Sequence, residues 1–261
     1  MEGITPSTSK QEKRQEENIV EKSFERQISE QSSFVVIRPE DTNESGQLLV
    51  SPEGPVSNLN EFEWKMVRTE VFKEWFGESM VVDGNGEPLV LYHGSSKKFD
   101  KFDITKVGGN KDSGFFGKGF YFTPHRGLAE KYGSVLYKSF LRINHIQTFG
   151  ENNGNVRFFD ENTLPENIRD EILKRYKPLQ EAEYRRLLDE GERRKGDWTY
   201  LSSWNGEDKF EYILSNVVRD VLIDKGFDGV IGYNKISDLY EYTVFSQDDI
   251  LVISNEETTG I

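Results

Sequence analysis

The sequence predicts an α+β fold, and three observations carry that prediction. Short apolar runs of strand length recur along the chain, separated by segments with helical periodicity. The two kinds of segment do not alternate in the regular β–α–β manner of a parallel sheet. With 261 residues, 35% hydrophobic and 13% aromatic, the chain can bury one sizeable core and still carry an extension.

Residues 1–58 differ from the rest. Lys10–Glu30 is dense in Lys, Glu, Gln, Arg and Ser, with Ile19, Val20, Phe24 and Ile28 as scattered apolar positions. So little apolar surface does not offset chain entropy, so this extension is expected to be largely disordered or adaptable, ordering on a partner. Phe34–Ile37 and Leu48–Val50 read as brief strands or docking segments. A folded domain is expected over 59–255.

Glu61–Phe76 places Phe62, Met66, Val67, Val71, Trp75 and Phe76 near helical spacing, and Gly77 follows as a stop. Met80–Val82 and Leu89–Tyr92 flank Asp83-Gly84-Asn85-Gly86, the pattern of a β-hairpin. Gly108–Gly119 reads as a mobile loop, Phe120–Thr123 as a strand, Leu128–Tyr132 as a short helix and Val135–Ile143 as a long strand. Pro165–Arg194 is charged and helix-prone, and Pro178 divides it into a helical pair inserted on the surface. Phe210–Ile223 carries a sustained i, i+3, i+4 apolar stripe and is the clearest helix, ended by Gly226. Strands at Gly229–Gly232, Tyr240–Phe245 and Ile250–Ile253 complete the domain. No internal repeat is present.

Composition removes several chemistries. The chain has no cysteine, which excludes disulfides, thiolate metal sites and a cysteine nucleophile. Its three histidines, His93, His125 and His145, make a histidine-rich metal centre unexpected, so the site is read without a metal. Met1–Arg14 has no apolar signal region and no run reaches membrane-spanning length, so a protein of the cytoplasm, without membrane contact, is expected. The formal charge of -13 repels nucleic-acid phosphates on average, although a local basic groove would override it.

Three segments hold polar groups beside glycine or aromatic neighbours at strand edges: Leu91-Tyr92-His93-Gly94-Ser95, Phe116-Gly117-Lys118-Gly119-Phe120-Tyr121-Phe122 and Leu239-Tyr240-Glu241-Tyr242-Thr243-Val244-Phe245. Singly, each has an ordinary explanation. A histidine at a strand end is more often structural, and tyrosine simply favours strands. Glu241 interrupts an apolar strand, where a carboxylate is costly, unless that strand is an edge facing water. Lys118 stands between glycines, but a Gly-Lys-Gly turn alone does not make a phosphate cradle, and a structural role fits equally.

Together and in this order, the segments resemble the H-Y-E class of ADP-ribosyltransferases, which includes diphtheria-type toxins and poly(ADP-ribose) polymerases. His93-Gly94-Ser95 is similar to the first motif, Phe116–Phe122 to the second and most specific, and Glu241-Tyr242 to the third. Tyr132 lies eleven residues after Tyr121, at the place of the family's second nicotinamide-stacking tyrosine. The sequence departs from many eukaryotic polymerases at Ala129, where they carry a serine that bonds the nicotinamide amide. The resemblance spans about Phe62–Ser254. Within it, Phe72–Gly77, Val81–Leu89 and Asp228–Ile231 look like the ADP-ribosyltransferase domains of phage and mobile-element polyvalent proteins.

The resemblance implies two packed, mainly antiparallel sheets with flanking helices, with the helical insertion at about 165–194. It implies NAD⁺ as co-substrate and nicotinamide as leaving group. His93 would bond the adenosine-side ribose with support from Ser95, Gly94 backbone groups would bond the carboxamide, and Tyr121 and Tyr132 would stack on the nicotinamide. Glu241 would accept a bond from the 2′-hydroxyl of the nicotinamide ribose. Single transfer to a macromolecule, protein rather than nucleic acid, is the implied activity of such a phage or mobile-element toxin or effector. The same pocket also serves an NAD⁺ glycohydrolase, a nucleic-acid-modifying toxin or an inactive binding module. The arginine-specific transferase class is disfavoured by Leu239, which stands where that class has Glu or Gln. A Rossmann-type use of NAD has no glycine-rich motif to support it.

Overall fold

Why the segments fold as they do is clear from a computed structural model, which describes residues 22–107, 114, 116–149, 164–190, 208–234 and 239–258. The chain divides into two compact units. One runs to Gly77 and includes Asp83–Pro88; the other comprises Glu78–Val82 and everything from Leu89.

In the first unit, α1 (22–32) buries Ile28, and isolated bridges join Thr42 to Leu48 and Leu49 to Val56. The helix expected over Glu61–Phe76 is two: α2 (Glu61–Val67) and α3 (Glu70–Phe76). Thr69 makes the break, because its hydroxyl accepts from Phe72 N–H and donates to Met66 O, capping a new helix. The Trp64 indole donates to Leu49 O at 2.8 Å, and the Arg68 guanidinium lies 3.6 Å over the Trp64 ring while pairing with buried Glu87 at 3.0 Å. One indole and one guanidinium thus tie down a segment whose own sequence is polar.

The second unit holds strands β1 (Leu91–Ser95), β2 (Phe120–Phe122), β3 (Val135–Leu141), β4 (Ile146–Phe149), β5 (Gly229–Asn234), β6 (Leu239–Val244) and β7 (Ile250–Glu257). They form a three-stranded sheet, β1-β3-β7, and a four-stranded sheet, β2-β6-β5-β4. Every pairing is antiparallel except β4 with β5. The expected α+β architecture of two mainly antiparallel sheets is therefore present. Leu91, Phe120, Phe122, Val135, Tyr137, Leu141, Val244 and Ile250 from both sheets share one buried core.

Helices α5 (Glu166–Asp189) and α6 (Asp208–Asp224) pack with Phe149 and Val230 of the second sheet in another core. α6 is the helix expected at Phe210–Ile223, and its stripe is buried at Leu214, Val217, Val218, Val221 and Leu222. The helical pair expected on the surface is instead one continuous helix through Pro178. Proline removes one hydrogen bond, whereas Ile168, Ile172, Tyr176, Tyr184 and Leu187 keep a buried stripe on both sides of it. The final residues of that expected insertion, 191–194, lie outside the described ones, as do most of the loop expected at Gly108–Gly119 and residues 1–21.

The expected hairpin forms around Asp83–Gly86: Gly86 N–H donates to Asp83 O at 3.0 Å, Asp83 N–H to Glu87 O at 2.8 Å and Leu89 N–H to Val81 O at 3.0 Å. It is short, because from Leu91 the chain pairs with β3 instead. The strand β4 is absent from the sequence reading, since four residues with one fully buried side chain leave little periodic signal.

Candidate functional site

The site is assembled where the two sheets meet edge to edge. Tyr92 of β1 and Thr123, just past β2, exchange both backbone hydrogen bonds, at 2.8 and 3.0 Å. That bridge brings His93-Gly94-Ser95 beside Tyr121. The short α4 (Arg126–Ala129) and a 3-10 turn (Glu130–Tyr132) follow β2 directly and return the chain onto β1.

His93 is half-buried among the rings of Phe102, Phe122, Tyr137 and Phe99, with centroids 5.1 to 6.3 Å away. Its Nδ1 lies 2.8 Å from the carbonyl oxygen of Tyr121. A carbonyl only accepts, so Nδ1 carries the proton and, in the neutral ring, Nε2 keeps an accepting lone pair. Desolvation by the aromatic surround pushes the imidazole pKa below its ordinary value, opposed by the bond to Tyr121 O. His93 is therefore neutral near pH 7. The sign for stability follows: as pH falls below about 6.5, the unfolded chain takes up this proton before the native one does. Urea midpoints are expected to decline across that acid window more steeply in the wild type than in His93→Gln, and equal slopes would remove the assigned pKa shift.

Tyr121 is the centre of β2. Its phenol donates to Gly117 O and accepts from Phe116 N–H, both at 2.7 Å, so the hydroxyl clasps its own glycine loop. Lys118 is tied to α6, its N–H to Ser215 O at 3.0 Å and its Nζ to the Tyr212 hydroxyl at 3.0 Å. The structural reading of that lysine thereby gains support, and its ammonium holds the Tyr212 phenol below the usual tyrosine range.

Glu241 lies on β6, which is an interior strand between β2 and β5, and the residue is only 6% exposed. An edge strand facing water is thus not its explanation. Tyr121 pairs with Thr243, and Glu241 stands two residues before Thr243 on the same strand. Alternation therefore puts the Tyr121 and Glu241 side chains on one face of the sheet as diagonal neighbours. This is the face toward α6, where Tyr121 packs. The imidazole of His93 is on the Phe122 side, and it joins Tyr121 through the main chain rather than through the phenol.

Gly94 meets the returning turn. A Cβ there would collide with the Ala129 carbonyl oxygen, 2.8 Å from its carbon and 3.2 Å from Tyr132 Cβ. Tyr132 itself is 57% exposed, so its ring stands at the surface beside Gly94. The Ser95 hydroxyl donates to Lys97 O at 2.8 Å and accepts from Lys97 N–H, turning the chain away after β1.

The sequence reading missed Gly232 on β5. It is the cross-strand partner of Glu241, and a Cβ there would collide with the ring of Phe116. A glycine in the middle of a strand is the signal that another group approaches closely. Among the described residues no group of three or more His, Asp or Glu could hold a metal ion, and no helix is long and apolar enough to cross a membrane.

Comparison with known proteins adds a family. Residues 83–260 match the family model described as ADP-Ribosyltransferase in polyvalent proteins. Comparison with curated proteins gives no match. Among solved structures, one titled "Crystal structure of an anti-CRISPR protein" is similar at 13% identity and a TM-score of 0.32, covering 63% of this chain and 94% of that one. A likeness that low bears on neither fold nor function. ADP-ribosyltransferases take their ADP-ribosyl group from NAD⁺. The family match covers well over half of the sequence, and the chain belongs to the ADP-ribosyltransferases of polyvalent proteins.

Proposed function

We propose that this transferase works in the H-Y-E manner, cleaving NAD⁺ and passing a single ADP-ribosyl unit to a protein side chain with release of nicotinamide. The observation that carries the reading is the placement of Glu241, a carboxylate buried in an interior strand on the same sheet face as Tyr121. Burying a carboxylate in a strand costs free energy unless partners hold it, so it is the position of Glu241 beside Tyr121 that supports the reading.

In the reaction, the bond between the nicotinamide nitrogen and ribose C1 breaks, and its electron pair neutralises the departing pyridinium. Positive charge moves onto the sugar, as in glycoside hydrolysis. A carboxylate at the 2′-hydroxyl stabilises that charge without reorganising, and this is the role of Glu241. The acceptor then bonds to C1 and gives up its proton to solvent water. Tyr121 and Tyr132 grip the pyridinium by stacking and cation–π attraction. Gly94 backbone groups bond the carboxamide, with Ser95 supporting the turn beyond. A neutral His93, with Nδ1 committed to Tyr121 O, offers Nε2 as acceptor for a hydroxyl of the other ribose. The formal charge of -13 favours a protein acceptor over nucleic acid, and a chain with no cysteine suits action in the reducing cytoplasm of a bacterial or host cell. The N-terminal extension is assigned to binding a partner that selects the target.

The test is incubation of the full chain with adenylate-labelled NAD⁺ and a cell lysate, followed by protease or nuclease. Label is expected in macromolecules, sensitive to protease and resistant to nuclease. Nuclease-sensitive label would reassign the acceptor, release of nicotinamide with no labelled macromolecule would make water the acceptor, and neither product would sink the proposal.

A further inference from the structure

Four side chains or bare backbone positions interlock across three segments: Tyr121, Phe116, Gly232 and Glu241. The Phe116 ring is 1% exposed and stacks on Tyr121, with centroids 6.2 Å apart and planes inclined by 23°. Its other neighbours are the Phe149 ring, 5.8 Å away, and the bare backbone of Gly232. Gly232 in turn pairs directly with Glu241. The same Phe116 also gives its N–H to the Tyr121 hydroxyl at 2.7 Å.

We infer that Phe116 is a positioning residue that fixes the Tyr121 ring relative to the strand carrying Glu241, and that Gly232 is glycine because this ring needs the space. The inference rests on the roles proposed above for Tyr121 and Glu241. The physical ground is packing: a phenyl ring enclosed on all sides cannot swing away from an added methyl group, so the displacement passes to what it touches. One side of Phe116 is Tyr121, and the other is the residue paired with Glu241. A change in their separation alters the alignment of the gripped ring with the carboxylate, and misplacement by about 1 Å costs on the order of 10²-fold in rate. Tyr132, Gly94 and His93 lie elsewhere and continue to hold the dinucleotide.

The test compares Gly232→Ala, Phe116→Leu and the double variant in the full chain, measuring kcat and KM for nicotinamide release together with thermal unfolding. Gly232→Ala is expected to lower kcat on the order of 10²-fold with KM nearly kept. The double variant is expected to be faster than Gly232→Ala and no faster than Phe116→Leu, because leucine lacks the ring edge that meets the new methyl but also no longer holds Tyr121. Wild-type kcat in Gly232→Ala, or a double variant no faster than Gly232→Ala, would overturn the inference. Should Gly232→Ala not fold, Phe116→Leu decides: reduced kcat at kept KM supports the positioning role, and unchanged kcat overturns it. Failure of the site reading is separately visible, since full activity in Glu241→Gln would remove that reading whatever Gly232→Ala does.

Discussion

Glu241→Gln is expected to slow ADP-ribosyl transfer by about 10²–10³-fold, as removal of one preorganised electrostatic group does. The substitution keeps the shape of the side chain, removes its charge and replaces one accepting oxygen with a donating NH2. Because Glu241 sits on an interior strand with its neighbours packed around it, an isosteric amide leaves the core unaltered. The loss belongs to kcat, since the carboxylate matters most when positive charge appears on the ribose. Single-turnover nicotinamide release and a thermal melt on the same preparation separate chemistry from folding. A rate equal to wild type, with the protein folded, would end the assignment of Glu241 to the reaction.

Gly94→Ala acts on the other side of the site and strikes main chain instead of a ring. The added methyl collides with the Ala129 carbonyl oxygen and comes within 3.2 Å of Tyr132 Cβ. Neither strand β1, paired along its length with β3, nor the turn after β2 can yield by a rotamer change. Overpacking of this kind costs about 1–3 kcal/mol, and the turn that moves carries Tyr132. Urea unfolding is expected to show that loss, and a titration with NAD⁺ to show weakened binding. Gly127→Ala, in the same short helix but with nothing within 4 Å of its Cβ position, is the control. Stability and affinity both at wild-type level in Gly94→Ala would mean that the close approach of the turn has no consequence.

The sequence carried most of the fold because periodicity was strong where burial is one-sided. The stripe of α6 is readable for that reason, whereas β3, buried on both faces, is readable as a long apolar run. Boundaries set by a single polar group were not. Thr69 divides one apparent helix by a hydroxyl bonded in both directions, and no apolar pattern reports such a cap. Pro178 misled in the opposite sense, since a local rule about proline is overridden when the helix face beyond it remains buried. In the N-terminal segment the deciding contacts are Trp64 with Leu49 and Arg68 with Val50, pairs separated by 15 and 18 residues, which composition cannot reveal.

At the site, the residue types and their order were legible, but their mutual geometry was not. That Glu241 is interior follows from β6 lying between β2 and β5, a fact of strand order. The Phe116–Gly232 contact joins residues over a hundred positions apart and left only the trace of a mid-strand glycine.

The bond that orients His93 ends on a carbonyl that every amino acid possesses. Position 121 is therefore free to change without retuning the imidazole: the peptide oxygen stays in place whichever side chain its residue bears. Evolution and mutagenesis alike can vary that ring as an independent dial, and the protonation state of the first motif need not follow.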